Sequence, residues 1–193
     1  MPSPIAHVAM GYLVYRAFRS RMPEQASRRV GPLPHLLIAA VGISLLPDAD
    51  AVPGVLLRDI GRFHNNITHS LIFGSTIAVG IGAVAWLTRR TGFKLWFLLA
   101  LVSYELHILM DFFTRSGRGV MLGWPISPDR FEAPVKLFYG LRWSEGLSSP
   151  EHLVTIATEL GVVALAGMVI YLINRMKRPG DLSHVKPSVS DEQ

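Results

Sequence analysis

The chain has 193 residues, half of them hydrophobic and 17% charged, a balance that suits one domain and is too apolar for an ordinary soluble protein. It contains no cysteine, which excludes disulfide frameworks, thiolate zinc sites and cysteine nucleophiles. The net charge of +5 does not point to nucleic acid: the basic residues gather at the ends of apolar runs, as the flanks of membrane-spanning helices do, and no nucleic-acid motif is present.

Residues 4–18 read as a short helix, with Pro4 in the permitted first turn, His7 close behind it, and Arg16 and Arg19 at the far end. No basic leader precedes this run and a histidine lies inside it, so a cleaved signal peptide is not expected. The polar, basic stretch RSRMPEQASRRVGP reads as a loop. An apolar helix over 33–46 then stops at Pro47 and delivers PDAD, which sets Asp48 and Asp50 just past a helix end. Residues 51–66 hold Pro53, Gly54, Gly61 and the adjacent Asn65 and Asn66, and read as a connection without a strong helical period.

In FHNNITHS, Thr68 is a fair N-cap for the uncharged run Leu71–Thr88, which is long enough to cross a bilayer core. Arg89, Arg90 and Lys94 separate it from a second apolar run over 95–113. That run carries SYELHILMDFFT, in which His107 and Asp111 are i and i+4 and so share one helix face. Ionisable groups in so apolar a helix are costly unless they pair, face a wet cavity or hold a metal. Taken alone, the pair fits a buried hydrogen bond locking two helices as well as it fits half of a metal site.

Glycine and proline dominate TRSGRGVMLGWPISPDRFEAP, an ordered-looking loop. Ser149 and Pro150 form a helix start, and the longest apolar run, 153–174, follows, interrupted only by Glu159 and closed by RMKRPG. The expected fold is all-α: a multi-pass membrane bundle of about five helices with a metal site at one membrane face. Residues 1–178 would be one membrane-embedded domain, and 179–193 a polar, disordered tail.

Five alternating helices with the N-terminus outside put the basic clusters at 19–32, 89–94 and 175–178 in the cytoplasm. The same alternation brings His7, Asp48, Asp50, His64, His69, His107 and Asp111 to the opposite, non-cytoplasmic end, with His35 placed near the cytoplasmic end and His184 in the tail. His152, near the start of the last helix, lies on the same side as Glu159, and the two would close the site from a fifth helix. The first two helices are short for a full span and would sink partway.

Imidazole and carboxylate ligands without thiolate suit zinc, iron, manganese or nickel. Seven candidates are too many for one closed structural site, so one to three divalent ions are expected, with Asp48 or Asp50 bridging. Such ions lower the pKa of bound water and clamp the oxygens of a displacement, which points to phosphoester hydrolysis by a metal-activated water, on a lipid given the depth of the site. Asp50 is the candidate general base. Thr68 and Ser70 would cap or support ligands, and Asn65 and Asn66 would bind substrate or shape a turn. Arg115, Arg118, Arg130 and Lys136 in the outer loop would meet a phosphate or lipid headgroups. The competing class is a non-catalytic membrane protein that binds or transports a metal ion; its conducting pathway would need polar residues along the whole span, and the cytoplasmic halves offer almost none.

With His7, LLPDAD, HNNITHS and HILMDFFTRSG followed by GWP in order, the chain resembles the YdjM-like family of bacterial inner-membrane proteins described as membrane-bound, metal-dependent hydrolases. Its motif order is similar to that of zinc-dependent phospholipases C, in which a histidine, an aspartate, a histidine and an HxxxD helix hold three zinc ions. The resemblance implies an inner-membrane location, zinc, and His7, Asp48, His64, His107 and Asp111 as first ligands, with Asp50 and His69 beside them. The family's HRGxTHS reads HNNITHS here, and the phospholipases' HxxxE helix has only His152 and Glu159 as a counterpart.

Overall fold

The structure is a computed structural model that describes residues 2–19, 33–58, 63–89, 92–115, 118–141 and 150–176. Its elements are α1 (Pro4–Arg19), α2 (Leu33–Leu45), a 3-10 turn (Pro47–Asp50), a short α3 (Ala51–Leu56), a second 3-10 turn (Ile67–His69), α4 (Leu71–Arg89), α5 (Phe93–Phe112) and α6 (Glu151–Met176). No strand forms among the described residues. The five longer helices are those expected from the apolar runs, while α3 lies in a segment that reads as a loop. Arg21, Arg28, Arg29, Arg62, Arg90, Ser149, His184 and the tail 179–193 lie outside the described residues.

Local chemistry sets the helix starts. Ser3 caps α1, accepting the Ala6 N–H at Oγ (3.3 Å), with Pro4 in the first turn where its missing N–H costs nothing. At α4 the cap is Ser70, whose Oγ accepts the Phe73 N–H at 3.1 Å, rather than Thr68. Thr68 sits in the 3-10 turn one step earlier and uses its hydroxyl elsewhere.

Helix α5 is the centre of the bundle. It buries Leu99, Ala100, Ser103, Tyr104, His107, Ile108, Met110 and Asp111 and packs on α4, α2 and α1, while α6 lies outside against α1. Two glycines permit the close approaches. A Cβ on Gly11 would lie 2.6 Å from Ser44 Oγ where α1 crosses α2, and one on Gly74 would lie 2.6 Å from the Tyr104 ring where α4 meets α5. Gly82 and Gly167 also face neighbours, but Gly80 and Gly161 face open space, so the glycine spacings are only partly a matter of packing.

Among the described residues three helices are long and apolar enough to cross a membrane, α4, α5 and α6; α2 continued through Pro47 into α3 makes a fourth, bent by 48°. The 16 residues of α1 rise about 24 Å, short of a hydrocarbon core. Asp48 and Asp50 stand in the 3-10 turn just past the bend of the α2–α3 span. The loop after α5 folds over this end of the bundle through paired backbone contacts, Thr114 with Phe138 and Val120 with Phe131, and binds the start of α4 through Leu71 N–H to Leu122 O at 3.2 Å.

Candidate metal centre

The side chains expected to converge do so. His7 comes from the first turns of α1, Asp48 and Asp50 from the break after α2, His64 and His69 from the connection before α4, and His107 and Asp111 from the last turns of α5. Asp48 Oδ1, His69 Nε2, His107 Nε2 and Asp111 Oδ2 form one group in which every ligand atom lies within 4.8 Å of the others. Within it, His69 Nε2 is 3.0 Å from Asp111 Oδ2, and His107 Nε2 is 3.4 Å from Asp48 Oδ1 and 3.5 Å from Asp111 Oδ2. The His7 ring stacks on His107 with centroids 3.8 Å apart and sets its Nε2 3.9 Å from Asp111 Oδ1.

Where the protons sit decides what this group can hold. His107 Nδ1 is 2.7 Å from the carbonyl oxygen of Ser44, which can only accept, so Nδ1 carries a hydrogen and Nε2 presents a lone pair. That carbonyl belongs to the last turn of α2, where helix termination leaves it without an intrahelical partner. His69 Nδ1 likewise faces acceptors, Asp50 Oδ2 at 3.2 Å and Thr68 Oγ1 at 3.0 Å, so its Nε2 also turns a lone pair inward. The two Nε2 atoms are 3.3 Å apart. With both rings neutral, these nitrogens and the two carboxylate oxygens face one another as acceptors, an arrangement that calls for positive charge among them, either a proton on an Nε2 or a bound cation. His7 Nδ1 and Nε2, Asp48 Oδ1, His64 Nε2 and both Asp111 oxygens are buried without a hydrogen-bond partner. Burial alone would lower the pKa of His69, but the Asp111 and Asp50 carboxylates beside it, at 3.0 and 3.2 Å, outweigh that and raise it, the response of a group whose surroundings demand positive charge. Two imidazoles and two carboxylates are the donor set of a divalent cation such as zinc, so the residues fit the ion.

The second candidate group, Asp50, His64 and His69, differs in kind because hydrogen bonds already satisfy it. Asp50 Oδ1 accepts from His64 Nδ1 at 2.8 Å, and Oδ2 accepts the Thr68 hydroxyl at 2.6 Å. Both oxygens of Asp50 are engaged, and through them it orients the imidazole of His64 and stands 3.2 Å from that of His69. Thr68 is held in turn, its carbonyl accepting the Tyr104 hydroxyl at 2.8 Å.

Other expected residues fall elsewhere. Glu159 does not close the site; it accepts the Ser3 N–H and the Ser3 hydroxyl and so fastens α6 to the start of α1. His152, half-buried on α6, is in neither ligand group. Asn66 is committed to the turn, donating to Phe63 O at 2.8 Å and accepting from Arg130, whose guanidinium also donates to Asn65 O at 3.0 Å. Asn65 takes a left-handed conformation at φ 61°, which an asparagine tolerates. Arg115 lies over the Tyr139 ring, 5.7 Å from its centroid, so the outer-loop arginine that meets this loop is Arg130. Sequence reasoning missed Ser44, Tyr104 and Arg130 as positioning groups. For Ser44 the signal was present: a lone hydroxyl residue in an apolar helix immediately before LLPDAD.

Over residues 1–179 the sequence matches the model of the YdjM inner membrane protein family. The chain belongs to that family. It is also 29% identical, over 174 residues covering 88% of this chain and 95% of the relative, to the inner membrane protein YbcI of Escherichia coli strain K12. No solved structure matches. For this YdjM-family chain, an inner-membrane location and a multi-pass helical fold agree with the apolar helices described above.

Proposed function

We propose that the protein is a metal-dependent hydrolase that cleaves a phosphoester of a lipid or lipid-like molecule at the inner membrane. The observation that carries this reading is the cluster of Asp48, His69, His107 and Asp111, whose ligand atoms lie within 4.8 Å of one another and in which Asp48 Oδ1 and both Asp111 oxygens are buried without a hydrogen-bond partner. These four residues would hold one divalent ion, zinc in our reading, and His7 with Asp111 Oδ1 stands ready for a second. A cation there would lower the pKa of a bound water and draw charge from a phosphoryl oxygen.

The chain's own groups supply the rest. The cluster opens to the outside at its edge: His7, His69, His107 and Asp111 are at most 1% exposed, whereas the side chains of Asp48 and His64 are 15% and 11% exposed. His64 stands at that edge with its Nε2 turned inward, 3.7 Å from Asp48 Oδ1 and without a hydrogen-bond partner, and its Nδ1 is fixed by Asp50, the arrangement of a base oriented by a carboxylate. In the reaction a water oxygen bonds to phosphorus while the ester P–O bond breaks. His64 Nε2 takes the water's proton and returns one to the departing alcohol. Asp50 stabilises the imidazolium between these steps. This assigns His64 to proton transfer rather than to the ligand set.

The basic ends of the helices, Arg16 and Arg19 of α1, Lys94 of α5 and Arg175 of α6, lie away from the cluster. By the positive-inside rule the site belongs on the non-cytoplasmic face.

The test is metal analysis of detergent-purified protein together with phosphate or diacylglycerol release from labelled lipids. Wild type is expected to carry the ion and turn over lipid, His107→Ala and Asp48→Ala to lose both, and His64→Gln to keep the ion while losing turnover. Unchanged metal content in His107→Ala and Asp48→Ala overturns the reading. Metal without turnover in wild type leaves a metal-binding protein instead.

A further inference from the structure

We propose that the groove between α2, α4 and α5 holds a hydrocarbon chain of the substrate, so that the enzyme acts on a long-chain phospholipid whose phosphate reaches the cluster from below the loop. This deepens the hydrolase reading and rests on it for the identity of the reacting headgroup.

The groove has a volume of about 570 Å³ and begins at Leu46, two residues before Asp48. It runs along α4 past Ile77, Ile81, Val84 and Ala85 to Trp96 at the far end of α5. From Thr76 to Thr88 the helix rises about 18 Å, somewhat more than the hydrocarbon depth of one leaflet. Both threonines in its wall hide their polarity. Thr76 Oγ1 donates to Ile72 O at 2.8 Å and Thr88 Oγ1 to Val84 O at 2.7 Å, so each hydroxyl is spent on its own helix and the lining is effectively hydrocarbon.

Two observations fix the occupant. The groove lies within helices that cross the membrane, where a soluble partner has no access and a hydrocarbon chain does. Its upper end is at Leu46, two residues from Asp48, which with His64 is the exposed edge of a group whose His7, His69, His107 and Asp111 are sealed. One molecule satisfies both ends only if it is apolar along its length and carries a phosphate at its head. A second apolar groove, of about 730 Å³ between α1 and α2, has Ile5 and Val8 at its upper end. There His7 turns inward and is 1% exposed, so a chain lying in that groove would not deliver its headgroup.

Glycines in the two grooves give a matched pair of tests, since a Cβ added at Gly80 or at Gly42 meets nothing within 4 Å. A leucine at either position fills its groove without disturbing the helix packing. Turnover of long-chain and of short-chain phosphatidic acid is measured on metal-loaded protein in detergent. The ratio of long-chain to short-chain kcat/KM is expected to fall about tenfold in Gly80→Leu, the scale of blocking a few buried methylenes, and to stay at the wild-type value in Gly42→Leu.

Binding is read separately with a long-chain phosphatidic acid carrying a diazirine at the chain end. Photolabel is expected on α4 and on the Trp96 region, reduced in Gly80→Leu, and much weaker with the matching diacylglycerol probe that lacks the phosphate. Label spread over all lipid-facing helices, or equal with both probes, means ordinary annular lipid and overturns the groove assignment even if turnover is intact. Label confined to the groove with no turnover of any lipid upholds the groove and removes the hydrolase reading.

Discussion

Helices α5 and α6 are both apolar enough to span the membrane, and each carries buried carboxylate chemistry, yet they do opposite work. On α6 the only buried residues are Thr155 and Glu159, and both are satisfied by protein partners: Thr155 donates to Gly140 O at 3.0 Å, and Glu159 accepts twice from Ser3. On α5, Asp111 is equally buried, and neither of its oxygens has a hydrogen-bond partner. A buried carboxylate surrounded by donors is structural, because its charge is already compensated by N–H and O–H groups. One left without a hydrogen-bond partner among imidazoles and a second carboxylate is suited to holding a cation. Hydropathy does not distinguish the two helices; the protonation of the neighbours does.

The sharpest way to break this contrast is to neutralise each carboxylate in turn. Asp111→Asn is expected to abolish bound metal, measured by elemental analysis, because the amide removes the charge that faces three imidazoles. Asp50→Asn should leave the ion in place but weaken it by about 10- to 100-fold in a competition titration, the usual cost of disturbing a group that orients a ligand. Glu159→Ala is expected to keep full metal stoichiometry and lose about 2 kcal/mol of stability, since it strands the Ser3 donors; thermal unfolding in detergent measures it. Metal loss in Glu159→Ala comparable to that in Asp111→Asn would erase the distinction. The smallest effect belongs to Tyr104→Phe, which removes one hydrogen bond to Thr68 O and should cost about 1 kcal/mol with the ion retained.

Much of the site was legible because its members obey local rules. His107 and Asp111 share a face by helical period, Pro47 ends a helix and so places Asp48 and Asp50, and the alternation of spans carries His7, His64 and His69 to the same end. What could not be read was the division of labour among them. Whether Asp50 binds a metal or holds imidazoles depends on which oxygen meets which ring nitrogen, and that is set by rotamers in a packed neighbourhood. Glu159 looked like a late ligand because its partner, Ser3, is 156 residues away in the chain, and no periodicity links them. The helix at 51–56 was hidden by Pro53 and Gly54, which count against a helix by propensity but which a single short helical stretch after a 3-10 turn accommodates. Arg130 rather than Arg115 meets the Asn65–Asn66 turn because the loop after α5 folds back through two isolated bridges, a tertiary fact.

The cluster draws its members from positions 7, 48, 69, 107 and 111, so a cation held there ties together stretches of chain tens of residues apart. In a protein without a single cysteine, such an ion would do what a cross-link does in a secreted domain: it would remove the freedom of long intervening segments, a gain that grows with loop length. Stripping it with a chelator is therefore expected to resemble cutting a disulfide. Protease sensitivity between the helices should rise while the helical circular dichroism stays almost unchanged.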